Sequence, residues 1–287
     1  MRPFDLLQPK TTAEALALMA RHGARASLLA GGTDLLVEIK EGIRAPDVVI
    51  DAKHLPGMRE LVVSPEAGLR LGALVTARAV ETSMAVRQHY HGLWQAVREL
   101  GSIQVRNRAT VAGNVCRASP SADTLPPLIA DDAVVAILGP GGERTLALED
   151  FFTGAGKTVL AGDEIVTGFS LPAPQPGTGK FYIKHGRRKA MELATVGVAV
   201  TLTMSGGVCS SIRIALGAVA PTPIRAKKAE AVLAGKKPDA ALIAKCGAIA
   251  ASESSPISNI RGSADYRRRM VEELTQRAIT AAMEAAR

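Results

Sequence analysis

Two short stretches of this chain carry the residue types that hold a phosphate-bearing molecule. The first is Leu28-Leu-Ala-Gly-Gly-Thr-Asp-Leu-Leu36, an apolar run followed by a glycine pair, a hydroxyl and a carboxylate. Lacking Cβ atoms, Gly31 and Gly32 let backbone amides converge on a diphosphate, and Thr33 adds a hydroxyl. Most glycine pairs are only turns, so this stretch alone leaves both readings open. The second, Thr110-Val-Ala-Gly-Asn-Val-Cys-Arg-Ala-Ser-Pro-Ser-Ala-Asp123, is more specific. Thr110, Gly113 and Asn114 offer a hydroxyl, a close-approach backbone and an amide, and Asp123 can accept hydrogen bonds from sugar-chain hydroxyls. Its plainer reading is an ordered loop with a helix N-cap. Together the stretches read as the two jaws of one cofactor site. No Gly-x-Gly-x-x-Gly follows the first strand, which argues against a nicotinamide domain of the Rossmann type.

These jaws need elements to hold them. Thr11-Thr-Ala-Glu14 is a capping-box pattern that starts a helix, and Gly23 stops it. Ser27 to Ala30 reads as a buried strand, Asp34 starts a short helix through Ile39, and Asp47 to Asp51 is a further strand. From Leu55-Pro-Gly57 the texture changes. Leu61–Val63 and Leu69–Leu71 flank a hairpin-like loop, a helix follows Thr76, and a longer one spans Met84 to Leu100. After the second jaw, Ala133–Leu138 and Arg144–Leu148 pair across Gly139-Pro-Gly-Gly142, and Glu164–Leu171 is one more strand. Pro172-Ala-Pro-Gln-Pro-Gly-Thr-Gly179 is the clearest linker. Beyond it, Phe181–Lys184, Ala194–Met204 and Val208–Val219 read as three strands, then Thr222–Leu233, Asp239–Ala251 and Ala264–Ala286 as helices. This gives an α+β chain of three units, 1–56, 57–176 and 177–287. The last is a three-stranded antiparallel sheet with a helical layer.

The 287 residues suit two or three units, and a hydrophobic content of 47% with only 3% aromatics implies a core of small aliphatic side chains. A net charge of +8 permits nucleic-acid binding, but the aromatics that stack on single strands are scarce. Cys116, Cys209 and Cys246 lie far apart without a Cys-x-x-Cys, which speaks against an iron–sulfur cluster or zinc knuckle in this chain and for a reducing, cytoplasmic setting. No apolar run approaches a membrane span. His89-Tyr-His91 lacks a third ligand and reads as a surface pair rather than a metal site. Asp163, Glu192 and Arg187-Arg188-Lys189 read first as charged loop residues, the last also as a contact for phosphate or another subunit. Cys116 reads as a small apolar filler.

Taken jointly, Ala30-Gly-Gly-Thr-Asp-Leu35, the run Ser102-Ile-Gln-Val-Arg-Asn-Arg-Ala-Thr-Val-Ala-Gly-Asn114 and Ala118-Ser-Pro-Ser-Ala-Asp123 resemble the FAD-binding medium subunit of molybdenum hydroxylases. This is the group of xanthine dehydrogenase FAD subunits and carbon monoxide dehydrogenase medium chains. The resemblance extends to Gly217-Ala-Val-Ala-Pro-Thr-Pro223 and Ser263-Ala-Asp-Tyr-Arg-Arg268, so it covers the whole chain. It implies two lobes clasping FAD as in the vanillyl-alcohol-oxidase flavoproteins, plus a C-terminal lobe. It implies that Leu29, Ala30, Gly31, Gly32, Thr33, Asp34, Leu35 and Leu36 wrap the pyrophosphate. Ala109, Thr110, Gly113 and Asn114 would take phosphates and the ribityl chain, with Cys116 and Arg117 lining the same loop. Asp123 would hold a sugar-chain hydroxyl, Gly101 and Ser102 the edge of the site, and Ile165 and Lys184 the adenine side or the ring. The chain departs from many relatives at Ala112, where they carry glycine, and at Leu193, where some carry tyrosine. It lacks the cysteines of the benzoyl-CoA reductase branch.

No hydrolytic triad or metal cage is visible, so the chemistry belongs to the cofactor. The resemblance implies an electron-transfer flavoprotein subunit. Its partners would be a large molybdopterin subunit and a small subunit with two 2Fe–2S clusters, arranged as a dimer of heterotrimers. The external acceptor would be NAD, a quinone or oxygen. Two alternatives stand beside it: a self-sufficient FAD oxidase of a small alcohol or amine, and a non-catalytic interaction or nucleic-acid module.

Overall fold

The computed structural model describes residues 2–286. The chain opens with β1 (Asp5–Leu7), α1 (Thr12–His22), β2 (Ala26–Leu29), α2 (Leu35–Lys40) and β3 (Val48–Asp51). Thr11 caps α1 by accepting from the Glu14 amide, while the Glu14 carboxylate reaches back to the Lys10 amide at 2.8 Å. The three strands form a parallel sheet in the order β1-β3-β2. β1, too short to show an alternation pattern, was not legible as a strand. Leu29, Ile39 and Val49 make a small core here, joined by Phe4 and Leu35.

The second unit contains β4 (Leu61–Ser64), β5 (Gly68–Gly72), α3 (Ala77–Thr82), α4 (Met84–His89), α5 (His91–Glu99), α6 (Ile103–Arg106), α7 (Val111–Arg117) and α8 (Leu125–Ala130). It continues with β6 (Val134–Gly139), β7 (Gly142–Ala147), β8 (Phe152–Gly154), β9 (Lys157–Thr158) and β10 (Ile165–Leu171). Five of these strands form a sheet in the order β4-β5-β10-β6-β7, antiparallel at every pairing. The long helix expected over Met84–Leu100 is instead two. Tyr90 leaves helical geometry at φ −132°, and its fully buried ring sends the hydroxyl to the Pro172 carbonyl at 2.9 Å. The apolar run Leu128–Leu138 is also divided, between α8 and β6. Pro126 and Pro127 stand in the first turn of α8, where the missing N–H costs nothing, and the whole helix is buried.

The third unit contains β11 (Thr178–His185), β12 (Val196–Ser205), β13 (Val208–Gly217), β14 (Ile224–Arg225), α9 (Lys227–Leu233), α10 (Ala240–Glu253) and α11 (Ala264–Ala285). Its sheet has four strands, β11-β12-β13-β14, not the three expected. The extra strand takes residues assigned above to a helix: Pro221 and Pro223 favour extended backbone there, so the helix begins only at Lys227. Gly206 and Gly207, both at positive φ, make the tight turn between β12 and β13. Val196, Val198, Val200, Leu216, Val271 and Ala278 belong to the core between sheet and helices.

Packing in this unit is close enough to exclude a methyl group. A Cβ on Gly179 of β11 would lie 1.8 Å from the Ala282 carbonyl oxygen of α11. Gly179→Ala is therefore expected to destabilise the chain by roughly 1–3 kcal/mol, through overpacking against backbone. Urea denaturation of the two forms checks this.

Candidate cofactor-binding site

Both jaws open onto one cleft of about 710 Å³. The first is the turn between β2 and α2. Gly31 lies so close to the second jaw that a Cβ would fall 2.1 Å from the Arg108 carbonyl oxygen. Gly32 takes φ +78°, the left-handed region that glycine enters freely. Gly32, Thr33, Asp34 and Leu35 all line the cleft, and among the described residues their amides meet no protein acceptor. Consecutive free donors on a concave wall suit an anion.

The second jaw is α7 and its flanks. Thr110 caps the helix by accepting from the Gly113 amide at 2.9 Å, and a Cβ on Gly113 would lie 2.9 Å from that hydroxyl oxygen. The N-cap role that competed with ligand binding in the sequence is thus filled, and a side chain at Gly113 would crowd the capping hydroxyl. The jaw is stitched to its own unit through Ala77 N to Ala109 O at 2.8 Å and Val111 N to Val75 O at 3.1 Å. Asn114 Oδ1 accepts from the buried Thr124 hydroxyl at 2.6 Å, which fixes the amide and leaves its NH2 for a ligand.

Asp123 forms part of the cleft wall and is nearly buried. The Tyr182 hydroxyl donates to one of its oxygens at 3.0 Å and the Lys184 ammonium to the other at 2.8 Å. Lys184 also donates to the Glu99 carbonyl at 2.9 Å. Burial pushes the Asp123 carboxyl up to about 6, against the lowering pull of Lys184 and Tyr182. The same withdrawal from water holds the Cys116 thiol at about 12, which fits a packing role and not a reactive thiolate.

Of the residues singled out from the sequence, Ala30 to Leu35, Gly101, Ala109, Thr110, Gly113, Asn114, Cys116, Arg117 and Asp123 line the cleft. Five do not. Leu29 and Ile165 are buried in cores, and Leu36 points to solvent from α2. Ser102 caps α6 by accepting from the Val105 amide at 3.3 Å. Lys184 stands behind Asp123. The cleft also contains residues that were not singled out: Glu38, Arg44, Val105, Ser119, Ser121 and Met191. Glu38 follows Asp34 by one helical turn, a spacing that offered a signal. Met191 to Leu193 enter from the loop joining β11 to β12, which no local pattern ties to either jaw. Glu192, weighed above as a loop charge, has arginine partners at 3.5–3.7 Å in Arg187, Arg188 and Arg261. His91, weighed as a metal ligand, stacks on Trp94 with ring centroids 5.2 Å apart.

A cleft with free turn amides, guanidinium groups and a buried carboxylate on its wall fits a nucleotide cofactor. The chain belongs to the family described as the FAD binding domain in molybdopterin dehydrogenase, which matches residues 2–174. The CO dehydrogenase flavoprotein C-terminal domain matches residues 181–282. The chain is similar to a xanthine dehydrogenase FAD-binding subunit of Escherichia coli O157:H7, at 31% identity over 96% of this chain and 94% of the relative. It is also similar to the carbon monoxide dehydrogenase medium chain of Hydrogenophaga pseudoflava, at 35% over 97% and 96%. Among solved structures it superposes on a chain of carbon monoxide dehydrogenase from Hydrogenophaga pseudoflava with a TM-score of 0.95, 34% identity and 99% of each chain covered. On a chain of quinoline 2-oxidoreductase from Pseudomonas putida 86 the TM-score is 0.92, at 28% identity, with 99% and 98% covered.

Two outcomes follow from this geometry. Gly31→Ala forces the jaws apart, so the purified variant is expected to lose bound flavin while its far-UV circular dichroism stays unchanged. Asp123 has a folded pKa of about 6 against 3.8 for a free carboxyl, so between those values the folded chain holds a proton that the unfolded chain has released. Its contribution to stability therefore falls as pH rises from about 4 to about 6. Asp123→Asn should flatten that part of the profile, read from denaturation midpoints across the window.

Proposed function

We propose that this chain is the FAD-binding electron-transfer subunit of a molybdenum hydroxylase. Electrons would arrive from the iron–sulfur clusters of a small partner subunit and leave to NAD, a quinone or oxygen. The observation that carries the reading is the pair of jaws meeting at Gly31, with unpartnered amides on one side and a capped helix on the other, in a chain whose relatives are FAD subunits. When bound, FAD supplies the chemistry: it exchanges electrons singly or in pairs.

The residues of the chain bind and orient. The turn amides of Gly32 to Leu35 would face the diphosphate. The Asn114 amide and the Asp123 carboxylate would hold the sugar chain. Asp123 is locked by Tyr182 and Lys184, so it presents one geometry. Lys184 acts through that carboxylate. We extend the proposal to the arrangement of units: residues 1–56 and 57–176 as two lobes clasping FAD in the vanillyl-alcohol-oxidase manner, and 177–287 as the C-terminal unit. The remaining partner is a large molybdopterin subunit where hydroxylation takes place, in a dimer of heterotrimers. Among the described residues no helix is long and apolar enough to cross a membrane, and the sparse, unpaired cysteines suit the cytoplasm.

A self-sufficient oxidase commonly tethers its flavin through histidine or cysteine. Among the described residues no histidine lines the cleft, and the thiol of Cys116 is held protonated at neutral pH. The deciding experiment is the visible spectrum of the full chain, alone and co-expressed with its two partners. The expected result is a yellow protein that no small alcohol or amine reduces by itself and that a hydroxylase substrate reduces only in the complex. A chain that stays colourless with excess FAD, or one reduced directly by a small substrate, sinks the proposal.

A further inference from the structure

The cleft contains a carboxylate where an anionic ligand would be repelled. Glu38 lines the wall one helical turn beyond Asp34 and is nearly buried. A like charge so close to a diphosphate opposes binding unless something offsets it. Its two oxygens each face a guanidinium: Arg44 Nε stands 2.8 Å from one, and Arg117 Nη2 stands 2.9 Å from the other. The two arginines come from different jaws. Arg44 is folded back by the chain after α2, where the amides of Ile43 and Arg44 donate to the Glu38 carbonyl at 2.8 and 3.2 Å. Arg117 is the last residue of α7, just before Ala118 turns the chain at φ +49°. All three side chains line the cleft, and the triad carries one net positive charge.

We infer that Glu38 is a positioning residue for the cofactor: it holds Arg44 and Arg117 side by side on the cleft wall and fastens the second jaw to the first through Arg117. The inference rests on the FAD reading above. Both arginine side chains are otherwise partly exposed and free to sample many rotamers. Ordering them before the ligand arrives removes that entropy cost from binding. A carboxylate shared by two guanidiniums serves this purpose while leaving each cation with unused donors.

The sign of one substitution separates positioning from simple charge. If Glu38 acted only as a negative charge, Glu38→Gln would remove repulsion and slow the release of FAD. If it positions the arginines, the same change speeds release. The test uses the full chain loaded with FAD, in its unaltered form and as Glu38→Gln, Arg117→Gln and the double variant. Flavin fluorescence after dilution reads the release rate, and thermal melting of the FAD-stripped forms reads stability. Each single variant is expected to release FAD about tenfold faster, with the double variant no faster than either, because one charge-paired unit is being broken. Melting of the stripped forms shifts by at most a few degrees, because Arg44 still pairs the carboxylate in Arg117→Gln and no charge is buried in Glu38→Gln. Release from Glu38→Gln that is unchanged or slower overturns the assignment, as does multiplication of the two effects or a lower melting point that accounts for the loss. Should Glu38→Gln fold poorly, Arg117→Gln carries the test, and unchanged release there overturns the assignment equally. An unaltered chain that binds no FAD would overturn the proposed function, and this inference with it.

Discussion

The constraint on which the cleft depends is the approach of Gly31 to the backbone of Arg108 and Ala109. Two segments nearly eighty residues apart in sequence meet there with no side chain between them. The facing walls of the two jaws inherit their spacing from that meeting. The parallel sheet delivers the first jaw, because β2 ends two residues before Gly31. The five-stranded sheet and its helices deliver the second, through backbone hydrogen bonds that anchor Ala109 and Val111 to the start of α3 and the turn before it. Neither unit has a complete cleft without the other, so the site exists only where the two are packed together.

The electrostatics of the cleft follow from how its acids are paired. Asp123 and Glu38 are both nearly buried, and an unpaired carboxylate in such a place would cost several kcal/mol. Each is compensated from another element: Asp123 by Tyr182 and Lys184 of β11, Glu38 by Arg44 and Arg117. At Asp123 burial still outweighs its partners and the carboxyl titrates high. The pairing fixes where oxygen atoms and guanidinium groups stand around the cleft.

Much of this was readable in the sequence, for reasons that can be named. The jaws were legible because glycine and capping residues have few local alternatives: Thr110 caps and Gly113 answers it within one helical turn. Strands β10 and β12 were legible because their apolar residues recur over long enough runs, and β5 because a turn-rich loop pairs it with β4. What was missed depends on tertiary contact. The break falls at Tyr90, whose buried hydroxyl bonds to Pro172, far along the chain. β1 and β14 are too short for any periodic signal and exist through their neighbours. The resemblance assigns Leu29 and Ile165 to the site; their side chains fill cores, which leaves their backbone as the part that can face it. Met191, whose amide reaches Gly101 O at 3.4 Å, entered the cleft by a loop path that no local rule foretells.

Strand β11 presents Lys180, Tyr182 and Lys184 on one face, at the period-two spacing of extended backbone. Lys180 meets Asp131 at 2.9 Å, while Tyr182 and Lys184 share Asp123. This is a keyed seam. Slipping the strand by one residue would set Phe181 and Ile183 against two carboxylates and turn the cations into the hydrophobic layer under α11. Slipping it by two would leave an acid without its partner. The last third of the chain thus has one permitted seat on the rest, enforced by a zip of opposite charges in addition to the fit of its apolar surfaces.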